Sequence, residues 1–231
     1  KISMANRPVF LVNPNTQEDI LFKNIEFQWF PGFSSDQKKK SLQSLHRAAN
    51  TLGIKNILEV STKSNLSLGK SLSAFNLMYI DETNEIPVEC IYQSSKCFQN
   101  AGPFEDIKFL SPKEAKQDLR LKTSGELKSF KFKNDNWELY PKTIFYDWIY
   151  MTALFKETNL HSEVEKYDAF TDIEFNPKTQ INCQARSVAL FVQFKRLGIL
   201  QQALSCKKEF CKAYPKTLKL NEELSLFPFI D

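Results

Sequence analysis

Apolar residues in this chain come in short patterned runs, and that pattern limits the fold more than any other feature. No apolar stretch approaches the roughly 18 uninterrupted residues that a membrane-spanning helix requires, and Val9–Val12 is too short to serve as the apolar core of a secretory signal. With 42% of the 231 residues hydrophobic and 25% charged, the chain can still bury a substantial core. Runs of two kinds alternate. Val9–Val12 and Ile20–Trp29, divided by Asn13-Pro14-Asn15, join β-favouring residues to turn chemistry and predict a hairpin. Ser34-Ser35-Asp36 supplies an N-cap for a helix that carries Leu42, Leu45, Ala49 and Leu52 on one face and closes at Gly53. Its first turn holds Lys38-Lys39-Lys40, which suits either a solvated face or a phosphate contact.

Further on, Asn56–Thr62 reads as a buried strand leading into the polar loop Lys63–Ser73, and a helix starts near Pro87. Ser111-Pro112-Lys113-Glu114 is a capping box opening a helix to about Leu121. Alternation in Phe130-Lys131-Phe132-Lys133, a turn at Asn134–Asn136 and then Trp137 predict a second hairpin with its phenylalanines inward. Lys131 and Lys133, on the opposite face, suit either an edge strand guarded by lysine or contacts to nucleic-acid phosphates. Helical periods return at Lys142–Thr158, Leu160–Tyr167, Asn182–Leu197 and Leu200–Tyr214, and Asp168–Pro177 interrupts them without a helical period. The expected fold class is α+β, mainly helical, in one domain.

Several functional classes lack the material they need. Six scattered glycines form neither a G-x-G-x-x-G turn nor a P-loop. His46 and His161 alone offer little for a histidine triad or metal centre, and the five cysteines, with no C-x-x-C pair, fit packed thiols in a reducing compartment better than disulfides or zinc. A formal charge of +4 permits anionic substrates without demanding nucleic acid. Chemistry concentrates instead in Pro87-Val-Glu-Cys-Ile-Tyr-Gln-Ser-Ser-Lys96. Glu89, Gln93 and Lys96 stand at i, i+4 and i+7, so one helix carries all three on one face, flanked by apolar Cys90, Ile91, Cys97 and Phe98. Spacing alone fits a solvent-facing polar row as well as the rim of a cleft.

That segment resembles the active-site helix of the NADAR family of ADP-ribose-linked N-glycosidases: a Glu, an apolar-aromatic pair, a Gln, then Lys and Phe, here Glu89, Ile91-Tyr92, Gln93 and Lys96-Cys97-Phe98. Other similar blocks follow in the family's order. They are Leu72-Ser-Ala-Phe-Asn76, Phe145-Tyr-Asp-Trp148 with Ala153–Lys156, and Tyr167-Asp168-Ala169-Phe170, spanning roughly Leu72 to Leu200. Ile25–Phe33 and Ile57–Ser64 look like the branch of the family that accompanies DarT-type toxins, which ADP-ribosylate DNA bases. Ala74 stands where the family block has Asn, and Phe170-Thr171 where Trp-Gly is expected.

The resemblance implies a YbiA-like/NADAR helical array with an N-terminal β-hairpin and a few short strands. It lays out residues 1–71 as a family-specific β/α extension, 72–200 as the core, and 201–231 as a C-terminal helix and tail. It also implies a cytoplasmic hydrolase without cofactor or metal, which cuts the bond between ADP-ribose and guanine in DNA as antitoxin to a DarT-type toxin. Glu89, Lys96 and a carboxylate from Asp168 or Asp172 then become catalytic. Gln93, Lys63, Ser73, Asn76, Arg120, Trp148 and Arg186 become substrate-binding, with Lys63, Arg120 and Arg186 as cations for the diphosphate. Two other classes stay open: a module that binds ADP-ribose or modified nucleic acid without turnover, and an antitoxin that blocks its toxin through direct contact by the aromatic-rich N-terminal third.

Overall fold

The computed structural model describes residues 2–13, 15, 18–82 and 84–215, so the C-terminal tail lies outside the described residues. In chain order the elements are β1 (Ser3–Leu11), β2 (Leu21–Trp29), α1 (Ser35–Thr51), β3 (Ile57–Glu59), α2 (Ser67–Ser71), β4 (Met78–Asp81), β5 (Asn84–Pro87), α3 (Val88–Ser94) and β6 (Lys96–Phe98). A 3-10 turn (Glu105–Phe109) leads to α4 (Pro112–Gln117), α5 (Arg120–Thr123), β7 (Leu127–Phe132), β8 (Asp135–Trp137), α6 (Ile144–Lys156), α7 (Thr158–Val164), β9 (Ala169–Thr171), α8 (Gln184–Arg196), α9 (Leu200–Ala203) and α10 (Lys207–Ala213). The fold class is α+β. None of the described helices is long and apolar enough to cross a membrane.

The chain divides into two compact units. Among the described residues the first draws on 2–73, 159–201 and 215, and the second on 74–158 and 202–214.

The first unit is organised by a four-stranded sheet in the order β2-β1-β9-β3. The expected hairpin is present, and its strands pair antiparallel from Ser3↔Trp29 to Leu11↔Leu21. Its inward residues Val9, Ile25 and Phe27 pack with Leu42, Leu45 and Ala49 of α1, a core built from the period-2 and period-3.6 faces legible in the sequence. Ser34 caps α1 by accepting from Gln37 N–H, and Gly53 leaves the helix at φ +83°. Leu52 is the exception on that face: it sits at the C-cap and is half exposed. Lys38, from the lysine run, pairs with Glu174 at 3.2 Å and lies 5.0 Å above the Trp29 ring.

Asp168–Pro177, expected to be irregular, contains β9, a central strand. It pairs antiparallel with β1 at Phe10↔Phe170 and parallel with β3 at Leu58↔Phe170. A three-residue strand buried on both faces has no alternation to display, which hid it.

The second unit is built around α6 and an aromatic cluster. Phe130 of β7 stacks on Phe145 of α6 at 4.6 Å, Trp137 approaches Phe145 at 5.6 Å, and Tyr92 of α3 meets Phe130 at 5.4 Å and Tyr146 at 5.3 Å. The second hairpin forms with Phe130 and Phe132 buried, but its turn falls at Lys133-Asn134, with Lys133 at φ +53°. In the sheet β6-β7-β8, β7 is the middle strand, so Lys131 does not guard an edge.

Two expected helices are broken. The helix from Ser111 keeps its capping box but ends at Asp118, whose carboxylate accepts the backbone N–H of Arg120 and opens a separate turn. Leu200–Tyr214 splits because Ser205 Oγ–H donates to Gln202 O and Cys206 turns extended. Cys206 and Cys211 are exposed there, and are not the packed thiols their composition suggested.

Candidate active site

Helix α3 starts where the chain rises out of β5. Pro87 occupies the N-cap, and the first two helical N–H groups donate outward, Val88 to Leu77 O and Glu89 to Ala74 O, both at 3.0 Å. Ala74, in the Leu72–Asn76 block, and Leu77 just after it thus supply partners that a helix start lacks in itself. Seven residues later the helix is shut by serines: Ser94 Oγ and Ser95 Oγ both donate to Ile91 O. Lys96 is therefore not a helical residue. It begins β6, paired with Phe130, and the single helix face expected for Glu89, Gln93 and Lys96 becomes a helix plus the strand that follows it. Gly102, at φ +101°, lies against this turn, where a Cβ would come within 2.4 Å of the Lys96 carbonyl.

Burial separates this site from a solvent-facing row. Glu89 and Gln93 are each only 6% exposed. Gln93 Nε2 donates to Glu89 Oε1 at 2.8 Å, which orients the carboxylate, and Gln93 Oε1 is buried with no hydrogen-bond partner among the described residues. Lys96 Nζ lies 4.8 Å from the centroid of the Tyr92 ring. Burial lowers the Lys96 ammonium to about 8; Glu89 opposes that shift, and Lys116 adds to it. A lysine so placed reaches its neutral, nucleophilic form near physiological pH.

The remaining expected residues of the second unit take other places. Asn76 is exposed in the loop before β4. Trp148 packs between Trp137 and Phe210, at 5.5 and 5.2 Å. Arg120 is engaged by Asp118 and Asp106, and both carboxylates hold its guanidinium above its ordinary value.

The first unit holds the others. Asp168 is exposed and tied to Arg196 Nη1 and Asn56 Nδ2, each at 2.9 Å, which lowers its pKa. Asp172 is buried, and its Oδ1 accepts from Glu174 N–H. Arg186 is buried against Asp19 at 2.6 Å. Lys63 is half-buried, with its backbone N–H on Ser61 Oγ, and Ser73 is buried behind α2.

Sequence reasoning missed Glu59. Only 3% exposed, it accepts from Ser61 Oγ and Ile173 N–H on Oε1 and from Thr171 Oγ on Oε2. Those donors favour the carboxylate, but burial and then the like charge of Asp172 outweigh them and push Glu59 up to about 8. An acid inside the apolar run Ile57-Leu-Glu-Val60 was the available signal. His46 Nε2 lies 2.8 Å from the same Thr171 hydroxyl.

Among the described residues no group of three His, Cys, Asp or Glu side chains is placed to hold a metal ion. What α3 and β6 assemble is a buried, amide-oriented carboxylate beside an amine of lowered basicity, equipment for acid/base or amine-based covalent chemistry on a polar substrate. A family model described as DarT1-associated NADAR antitoxin matches residues 5–223. The chain belongs to that family. No curated protein matches it.

Proposed function

We propose that this protein is an N-glycosidase that hydrolyses the bond between ADP-ribose and guanine in DNA, and so reverses the mark left by a DarT-type ADP-ribosyltransferase. The observation that carries this reading is the burial of Lys96 beside the Glu89–Gln93 pair, which brings its amine to about 8. Cleavage of an N-glycosidic bond passes through an oxocarbenium-like state. In this reading Glu89 stabilises the charge growing on the anomeric carbon, and Gln93 holds the carboxylate in place. The neutral Lys96 amine bonds to that carbon as the carbon–guanine bond breaks, and guanine leaves with a proton. The ribose then opens to an imine on Lys96. Water hydrolyses the imine, which releases ADP-ribose and returns the free amine. Lys131, exposed on β7, suits the phosphates of a strand that carries the modified base.

The test is release of free ADP-ribose from an oligonucleotide ADP-ribosylated on guanine, with wild type beside Glu89→Ala. Release by wild type alone supports the reading. Binding by both without release points to a recognition module, and protection against the toxin by Glu89→Ala points to inhibition by contact.

A further inference from the structure

Helix α4 brings to the Lys96 site a charge that the chemistry described above leaves without a task. The helix packs against α3 with Ala115 fully buried, and the next residue, Lys116, is exposed. Its Nζ lies 5.7 Å from the centroid of the half-buried Phe75 ring. Phe75 follows Ala74, whose carbonyl accepts the Glu89 N–H at 3.0 Å, which ties this segment to the first turn of α3. Lys116 is also the like charge that acts with burial to lower the Lys96 ammonium.

The acids of α4 and its C-cap are both engaged elsewhere. Glu114 accepts from Ser111 N–H at 3.0 Å and from Ser111 Oγ–H at 2.6 Å, and Asp118 is bound to Arg120 at 2.8 Å. Among the described residues Lys116 makes no ion pair. The charges that act on one another here are therefore two ammonium groups, Lys96 and Lys116, against the Glu89 carboxylate, an excess that suits an anion. Arg120, the cation expected from this unit for the diphosphate, is instead held by Asp118 and Asp106.

We propose that Lys116 is the phosphate-binding cation of this site, its ammonium steered by the Phe75 ring toward an oxyanion of the substrate. The inference rests on the glycosidase reading for the identity of that substrate, whose phosphates are the diphosphate of ADP-ribose and those of the DNA strand. Lys116 would act in binding, while Glu89 and Lys96 carry the chemistry.

Binding can be read without turnover, by calorimetric titration of the full chain with ADP and with an unmodified single-stranded oligonucleotide. Lys116→Met is expected to weaken at least one of them by about tenfold or more, the scale of one hydrogen bond to a charged group, and Lys116→Arg to restore it. Loss for ADP assigns the contact to the diphosphate, and loss for the oligonucleotide alone assigns it to the strand. Lys113→Met, which removes an exposed ammonium from the same helix, should leave both affinities unchanged. In the free chain Lys116→Met should also raise the NMR titration midpoint of Lys96. Failure of wild type to bind either probe, wild-type affinities for both in Lys116→Met, an equal loss in Lys113→Met, or an unmoved Lys96 midpoint would overturn the inference. A chain that binds either probe through Lys116 yet releases no ADP-ribose would refute the glycosidase reading and leave the phosphate contact standing.

Discussion

The basicity of Lys96 is the property on which the proposed chemistry turns, and it can be measured directly. A fall from 10.5 to about 8 corresponds to about 3 kcal/mol in favour of the neutral amine. At pH 7 roughly one Lys96 in ten is then unprotonated, against about one in three thousand for an ordinary lysine. The sign with respect to folding follows. Between pH 8 and 10.5 the folded chain holds fewer protons at this site than the unfolded chain, so stability from this group is lowest below pH 8 and recovers as pH rises through that window. Glu89 is the influence that raises the value, so Glu89→Gln should move it down further. Selective ¹³C labelling at lysine Cε, followed by an NMR titration from pH 6 to 11, resolves one outlying lysine. A Lys96 midpoint at 10 or above, or an upward move in Glu89→Gln, would refute the reasoning.

Other perturbations probe the rest of the molecule. Glu59, raised from 4.5 to about 8, contributes stability that is full below pH 4.5 and lost as pH climbs through 8. Glu59→Gln should therefore gain on wild type in urea midpoint between pH 5 and pH 8. Gly69→Ala places a methyl 2.0 Å from the Glu59 carbonyl oxygen and 2.3 Å from Ser64 Oγ, and should cost about 1–3 kcal/mol in equilibrium unfolding. Of the two aspartates, Asp168 is spent on Arg196 and Asn56 at the surface while Asp172 is buried beside Glu59. Asp172→Asn removes the like charge beside Glu59 and should lower its titration midpoint, whereas Asp168→Asn should leave that midpoint unchanged.

The sequence disclosed most where one face of an element is buried and the other is wet. The first hairpin, α1 with its Ser34 cap, and the inward Phe130 and Phe132 were legible because alternation and helical period both survive half-burial. It disclosed least where burial is two-sided or where a side chain competes with the helix. The central strand β9 showed no period, and the serines at 94 and 95 ended α3 one step before Lys96. The candidate site was legible in its members and not in its form. Glu89, Gln93 and Lys96 were found from spacing and from likeness to a family. The inward turn of the first two comes from the tertiary packing of α3, and the Glu59–Thr171–His46 contacts span more than 100 residues, so no local pattern reports either.

The central claim is that the end of α3 and the start of β6 cut a base–ribose bond. Its most direct test is single-turnover release of ADP-ribose from a guanine-ADP-ribosylated oligonucleotide by wild type, Glu89→Gln and Lys96→Met, with folding checked by circular dichroism. The account predicts release by wild type and a loss of at least about a hundredfold in each variant, on the scale of removing a general acid or base. Release by both folded variants at the wild-type rate would contradict it.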